Sequence, residues 1–485
     1  MPTQKSTLPL SEAPKPTYNH TPENIEDLCQ NLAEQLFTND TTICFSKSKT
    51  RHSFAQPHES PAAVFRPRTT EEVSAIAKAC HERNIAITSY GGGTSLGGAL
   101  AATRGGICID FQEMNKIIQV HEDDLDIVVQ PNVGWVELNQ YLDEKNLFFP
   151  PDPAPGAKIG GMIAMGCSGT NAYRYGTMKD WVLSLTLVLA DGTIVKTRNR
   201  PRKSSAGYDL TNLIIGSEGT LALVTEAVLK LTALPKNLHV GLAVFETMAE
   251  GVSVAIAIMK SGTVLEAIEL MDAAGTHSVN TSKLVPALTL LEKPTLFLKF
   301  SNPSPQTVTE QIALVRSICD QHHSLSFEAS GEKERIDTLW AARKCLGNSF
   351  MSMKKDETDV FIHTDACVPL SNLARLVAES EALIAGTGWF CCNMAHAGDG
   401  NTHTAIVAPL ADKAAVEELL SKIQRLALEL EGTITGEHGV GLKLRDLLVE
   451  EVGKEGVDVM RGIKGALDPK GLLNPDKIIR LESDV

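Results

Sequence analysis

Two histidines and a glutamate lie in glycine-rich company near the C-terminus, in His396-Ala-Gly-Asp-Gly-Asn-Thr-His403 and Gly436-Glu-His-Gly-Val-Gly441. Segments this polar and flexible serve no apolar core. Imidazole nitrogen and carboxylate oxygen suit a borderline divalent cation, and three protein ligands with an open position describe a catalytic site better than a structural one. His438, beside Glu437, adds an imidazole whose ordinary pKa near ~6.5 lets it take a proton at neutral pH. Gly398 and Gly400 disfavour a continuous helix between His396 and His403. A hairpin turning at Gly398-Asp-Gly-Asn401 would instead set the two rings on facing strands. From these residues alone, a hydrogen-bonded histidine pair that stabilises a turn is the competing reading. A calcium loop is excluded, because Leu410 stands where its closing glutamate should be.

A second set of residues could cradle an anion. Gly91-Gly-Gly-Thr-Ser-Leu-Gly-Gly98 follows an apolar strand and brings bare backbone N–H groups together with two hydroxyls, a combination that can wrap a pyrophosphate. A mobile surface loop is the alternative. It is not a Walker loop, since no Lys occurs from Glu82 to Ala102, and a dinucleotide fingerprint would need Gly where Leu96 stands. Further small-residue segments, Gly160 to Asn171, Arg174 to Thr177 and Ile214 to Leu221, suit a long extended cofactor better than one phosphate, and FAD is the natural candidate.

These groups need a scaffold. Periodicity predicts helices over Asn24–Phe37 and Thr70–Arg83, the second capped by Thr70. Short strands follow over Ile85–Tyr90, Gly106–Phe111, Ile117–Val120, Ile127–Pro131, Val182–Leu189, Thr193–Lys196 and Leu221–Leu231, with few helices between them. Composition changes at Pro235. Beyond it, Ala249–Met259, Val308–Ile318, Val416–Leu430 and Val457–Leu467 read as helices and Leu296–Phe300 and Ile406–Ala408 as strands. The mixture is α+β rather than a regular alternation. The expected organisation is an N-terminal arm and helix over 1–58, a cofactor-binding domain over 59–235, a substrate- and metal-binding cap over 236–440, and a C-terminal segment over 441–485.

At 485 residues the chain exceeds one core. A formal charge of -14 argues against a nucleic-acid partner, so the partner should be small. Ten cysteines without a CxxC pair read as reduced and mostly buried. No apolar stretch approaches the ~18 residues of a membrane-spanning helix. The first 22 residues lack the pattern of a secretory signal or transit peptide and read as a loose arm. The expected compartment is cytoplasmic or mitochondrial, at most peripheral to a membrane.

The glycine loop, Pro151-Asp-Pro153, Ser168-Gly-Thr-Asn171, Arg174-Tyr-Gly-Thr-Met178, Ser204-Ser-Ala-Gly-Tyr208 and Gly216-Ser-Glu-Gly-Thr220 together resemble the FAD domain of vanillyl-alcohol-oxidase-type flavoproteins. Within that superfamily the chain is most similar to the cytochrome-type D-lactate dehydrogenases, from about residue 60 to residue 480. His-Ala-Gly-Asp-Gly-Asn, Gly-Glu-His-Gly-Val-Gly and Leu-Asp-Pro-Lys-Gly-Leu-Leu-Asn-Pro occur in the family's order. The resemblance implies a bipartite FAD-binding domain, an antiparallel-sheet substrate cap, and C-terminal helices returning to the flavin. It implies FAD held by Gly91, Gly92, Gly93, Thr94, Ser95 and Leu96 at the pyrophosphate, with Pro151, Ser168, Thr170, Tyr175 and Gly219 along the rest. No His occurs between His81 and His121, so non-covalent attachment is expected.

The same resemblance makes His396, His403 and Glu437 ligands of one divalent metal, with zinc, manganese and iron equally admissible. From the residues themselves, His438 is the candidate base, with a hydrogen bonder behind a ligand as its alternative, and Asn401, beside the histidines, is a substrate contact or a support for a ligand; the resemblance makes Arg343 the grip on a substrate carboxylate. From the residues alone, a surface salt bridge is the commoner fate of a helical arginine. The implied reaction is oxidation of a D-2-hydroxy acid to the 2-keto acid, with proton removal by His438 and hydride transfer to the flavin. Electrons would pass to cytochrome c or a quinone; a homodimer is the assembly considered. Gly347 and Asn348 stand where the family often has Trp. That departure either enlarges the pocket, so that larger D-2-hydroxy acids compete with lactate, or is filled by Phe350 or Met351; glycolate and D-2-hydroxyglutarate are the alternative substrates. An FAD-dependent alkyl transferase without net redox is the alternative of another class.

Overall fold

The computed structural model describes residues 7–482 apart from Ala33, Gln35, Arg51, His52 and Phe54. They form two compact units. One comprises Met1–Gly169, Gly176–Leu234 and Glu437–Val485; the other comprises Thr170–Tyr175 and Pro235–Gly436.

The first unit is built on two sheets. In the smaller, the strands run Phe37–Thr38, Ala63–Phe65, Ile107–Asp110, Ile87–Tyr90, with parallel pairing of the last three. The helix Thr70–Arg83 supplies the crossover that parallel strands need. Its cap is Thr69 rather than Thr70, because Thr69 keeps an extended backbone and its hydroxyl accepts from Glu72 N at 3.2 Å. Val73, Ile76, Ala77 and Cys80 face inward, as their spacing requires. The larger sheet is antiparallel, in the order Ile117–His121, Asp126–Val129, Leu223–Lys230, Val182–Val188, Ile194–Lys196. Two helices, Trp135–Asp143 and Ile159–Met165, occupy the stretch expected to be poor in helix. Trp135, Leu138 and Leu142 make a buried stripe on the first of them, a signal short enough to be lost among the neighbouring strands.

The N-terminal segment is tied down rather than loose. Leu8 N donates to Asp458 O at 3.0 Å, the Tyr18 hydroxyl to Gly471 O at 3.0 Å, and Asn19 N to Asn84 O at 2.9 Å. Two backbone N–H groups and one phenol here pair with carbonyls of other segments, which composition cannot reveal. The first helix covers Pro22–Asn31; part of its expected extension lies outside the described residues. At the other end of the chain, two helical stretches joined by a kink at Gly453 (φ 76) cover Arg445–Leu467 and lead into the turn Asp468–Pro475. There the Asp468 carboxylate accepts from Leu472 N at 3.0 Å and Leu473 N at 2.7 Å. The turn then joins the strand leading to the glycine loop, with Ile87 N donating to Leu472 O and Asn474 N to Ile87 O.

The second unit is one antiparallel sheet in the order Ser326–Ser330, His239–Val244, Thr295–Phe300, Ala267–Met271, Phe390–His396, Asn401–Ala408, Val360–His363. Side chains alternate between its faces. Ile268, Leu270, Ala395 and Ile406 pack with the helices Met248–Lys260, Pro305–Gln321, Leu373–Ile384 and Lys413–Glu429. Ala267, Met271, Cys392, Ala405 and Val407 pack on the opposite face with Ala273–Ser282, Lys333–Lys344 and Leu346–Met351. All ten cysteines are unbridged, and Cys345, Cys367 and Cys391 are the only ones not fully buried. No described helix is long and apolar enough to cross a membrane.

Candidate active site

In the first unit the strand Ile87–Tyr90 ends at the glycine loop. A Cβ on Gly92 would overlap the Gly156 carbonyl oxygen and press on Ala157 Cα. Gly93 has φ +66, a conformation that side chains disfavour. The Ser95 hydroxyl oxygen is buried with no hydrogen-bond partner. A loop stripped of side chains beside an unsatisfied hydroxyl fits an anionic diphosphate, since a buried polar atom is expected to be paired. Thr94 is exposed and Leu96 half-buried on the same loop, Pro151 is buried, and Gly219 has φ +72, where a Cβ would overlap the Ser89 hydroxyl. Thr170 and Tyr175 instead belong to the short excursion that packs with the second unit. There Arg174 pairs with the buried Glu266, and burial together with the same carboxylate pushes the Tyr175 phenol upward. We expect Gly92→Ala to weaken FAD binding about tenfold or more, because the overlap is with backbone that cannot swing aside, at a cost of ~1–3 kcal/mol. Flavin absorbance per protein after gel filtration measures it.

The segment carrying Glu437 and His438 is anchored in this unit from both sides. The Ser168 hydroxyl donates to Glu437 Oε2 at 2.8 Å, and His438 Nε2 lies 3.6 Å from Glu437 Oε1. Immediately beyond, Val440 N and Gly441 N donate to Glu218 Oε1 at 2.7 and 3.1 Å, and Gly441 N reaches Oε2 at 3.0 Å. Gly439, at φ +81, leaves the room that Met165 and Glu218 occupy. Leu442 N donates to Gly97 O at 2.9 Å, so a hydrogen bond joins the glycine loop to the stretch just beyond Glu437 and His438. Glu218 was no candidate from sequence; its place inside Gly216-Ser-Glu-Gly-Thr220 was the available signal.

Burial pushes the Glu218 carboxyl up from 4.5 to about 7, against the pull of the Gly441 and Val440 amides. A carboxyl raised in this way holds a proton in the folded chain that the unfolded chain has released. Its contribution to stability is therefore complete below pH 4.5 and is lost as pH rises through about 7. Glu218→Gln is neutral throughout. The stability of the wild type relative to this variant should fall by up to about 3 kcal/mol between pH 4.5 and pH 8, read as a crossing trend in melting temperatures. Parallel trends would mean that Glu218 does not titrate in this window.

In the second unit the hairpin expected at Gly398–Asn401 is present, with Met394 opposite His403 and His396 opposite Asn401. Opposed residues share a face, so His396, Asn401 and His403 project together, and Glu269, directly across from His396, projects with them. The His396 and His403 rings stand edge to face with centroids 5.5 Å apart. His396 Nδ1 is 2.9 Å from Glu269 Oε1, and His403 Nδ1 is 3.3 Å from Thr364 O and 3.5 Å from Asp365 Oδ1. An oxygen acceptor at Nδ1 holds the proton there and puts the basic lone pair on Nε2, the arrangement common to metal-ligating histidines. Among the described residues, the histidine and carboxylate atoms close enough together to share a cation gather around His403 and do not include His396.

Asn401 donates through Nδ2 to Asp365 Oδ1 at 3.0 Å and Ala366 O at 3.1 Å, while its Oδ1 is buried without a partner. Gly436 leaves space for this side chain, since a Cβ there would overlap Nδ2. Arg343 is 5% exposed, not a surface residue. Its Nε donates to Glu269 Oε2 at 3.0 Å and its Nη2 to the same oxygen. Burial raises the Glu269 carboxyl, but the Arg343 charge and the hydrogen bonds from His396 and Arg343 outweigh it and hold the group below its ordinary range. Sequence reasoning missed Glu269, though a lone carboxylate in the apolar run Ala267–Met271 was visible. Phe350 packs with Phe361 and Phe390 at centroid distances of 5.9 and 6.4 Å, and a Cβ on Gly347 would meet nothing within 4 Å.

Residues 61–198 match the FAD binding domain model, and residues 234–478 match FAD linked oxidases, C-terminal domain. The chain is 41% identical over 474 residues to "D-lactate dehydrogenase [cytochrome], mitochondrial" of Kluyveromyces lactis, covering 96% of this chain and 82% of that protein. It is 32% identical over 462 residues to glycolate oxidase subunit GlcD of Bacillus subtilis, covering 94% of each. Among solved structures, p-cresol methylhydroxylase shares the fold with a TM-score of 0.78 at 14% identity, covering 99% of this chain and 100% of that one.

Proposed function

Because the chain belongs to the FAD-linked oxidase family, we propose that it is an FAD-dependent dehydrogenase that oxidises D-lactate, or a related D-2-hydroxy acid, to the 2-keto acid. The observation that carries this reading is the chain Arg343–Glu269–His396. One buried carboxylate holds both a guanidinium suited to a substrate carboxylate and a histidine suited to a metal. A 2-hydroxy acid presents a carboxylate and a hydroxyl on adjacent carbons and calls for such a pair.

FAD, when bound, supplies the two-electron acceptor for the C2 hydrogen, and a divalent cation supplies a Lewis acid for the hydroxyl. Gly91, Gly92, Gly93, Thr94, Ser95 and Leu96 would wrap the pyrophosphate. Pro151, Ser168, Thr170, Tyr175 and Gly219 would line the rest of a non-covalent FAD. The metal ligands we assign are His396, His403 and Glu437, an assignment that rests on the sequence motifs and on the Nδ1 acceptors described above. His438 takes the hydroxyl proton on a ring nitrogen. Arg343 has five N–H donors; those not directed to Glu269 grip the substrate carboxylate. Asn401 offers Oδ1 to the substrate hydroxyl or to a group that holds it. Cytochrome c or a quinone would take the electrons, in a mitochondrial or cytoplasmic setting.

Anaerobic mixing of the yellow protein with D- and L-2-hydroxy acids, followed at the flavin absorbance, tests the proposal. D-lactate should bleach the flavin and L-lactate should not. Failure of every D-2-hydroxy acid to bleach it would favour an alkyl transfer without net redox.

A further inference from the structure

Glu269 sits at the centre of the strand Ala267–Met271, whose every residue is buried, and is itself 1% exposed. A carboxylate in such a place is strongly destabilising unless both oxygens are engaged. Here they are divided between two elements: Oε1 faces His396 Nδ1 across the strand ladder, and Oε2 receives the guanidinium of Arg343 from the helix Lys333–Lys344. Neither partner can be reoriented without disturbing the carboxylate that holds the other.

We propose that Glu269 is a positioning residue that couples metal loading at His396 to capture of the substrate carboxylate at Arg343. The inference rests on the reading of those two residues given above and adds a dependence between them. The carboxylate keeps the His396 proton on Nδ1 and directs Nε2 to the cation, while the same group sets the plane of the Arg343 fork. Glutamine has the same shape but only one acceptor oxygen. It can serve one partner, and its NH2 then faces an N–H of the other.

The test uses FAD-loaded protein stripped of metal and titrated with Mn2+ or Zn2+ alone, alongside kcat and KM for D-lactate, in wild type, Glu269→Gln, Glu269→Asp and Arg343→Met. Glu269→Gln should weaken cation binding about 10–100-fold and raise KM, with FAD content unchanged. Glu269→Asp keeps the charge and should recover most of the cation affinity. Arg343→Met removes no ligand, yet should weaken cation binding at least about threefold, because Glu269 loses one of its two anchors. A folded Glu269→Gln with wild-type cation affinity would overturn the inference. So would an Arg343→Met protein whose cation affinity is unchanged, and this arm decides the matter if Glu269→Gln does not fold. A wild type bleached by D-lactate, with variants that bind cation normally, sinks the coupling alone. A wild type that binds no cation sinks the coupling together with the ligand assignment, and a wild type that no D-2-hydroxy acid bleaches sinks the function.

Discussion

His438→Ala should slow flavin reduction by D-lactate at least about 100-fold while FAD remains bound. The two halves of this expectation have separate causes. The backbone beyond His438 is held by Glu218 through Val440 N and Gly441 N, and by Gly97 O through Leu442 N; none of these bonds uses the imidazole. Removing the ring therefore leaves the segment and its link to the glycine loop in place. What disappears is a proton acceptor whose side chain is 23% exposed in the first unit, accessible enough to meet a substrate. Stopped-flow reduction under anaerobic conditions reads the rate, and the flavin-to-protein absorbance ratio reads occupancy. An unchanged single-turnover rate would remove His438 from the mechanism, and loss of flavin would show that the ring has a structural role.

Arg343→Ala should destabilise the protein by about 3–5 kcal/mol, because it leaves the Glu269 carboxylate buried without its cation. It should also raise KM for D-lactate by more than it lowers the affinity for FAD, since flavin contacts are assigned elsewhere. The two effects separate in Arg343→Lys. An ammonium retains the charge that Glu269 requires but cannot present two parallel N–H bonds to a planar carboxylate. That variant should unfold close to the wild-type denaturant midpoint and still show a raised KM. Equal stability of Arg343→Ala and wild type would mean that the buried pair contributes nothing. A normal KM in Arg343→Lys would assign the substrate carboxylate to another residue.

Much of the scaffold was legible because periodicity reports burial directly. The helix Thr70–Arg83 and the strands at 117, 182, 223 and 295 follow from apolar spacing that only one face or one pleat can satisfy. The hairpin between His396 and His403 followed from two glycines that a helix would not tolerate, and Gly400, at φ +80, is in the conformation that favours glycine. The short helix Trp135–Asp143 was not legible, since three apolar positions among strands give too weak a pattern. Nor was the docking of the N-terminal segment, which depends on carbonyls of residues some 450 positions away, such as Gly471 O for Tyr18.

The sequence by itself determined which chemistries were available: a glycine loop for an anion, imidazoles and a carboxylate for a cation, an imidazole for a proton, an arginine for a carboxylate. These are properties of side chains and need no partner to be named. Only the tertiary structure decided who holds whom. It put Glu269 opposite His396 through strand register, delivered Arg343 to the same carboxylate from a helix 74 residues onward, and used Glu218 to clasp the backbone after His438. Hydrogen bonding between residues far apart in the chain depends on register and packing angle. These are set by the whole core at once, and no local spacing encodes them.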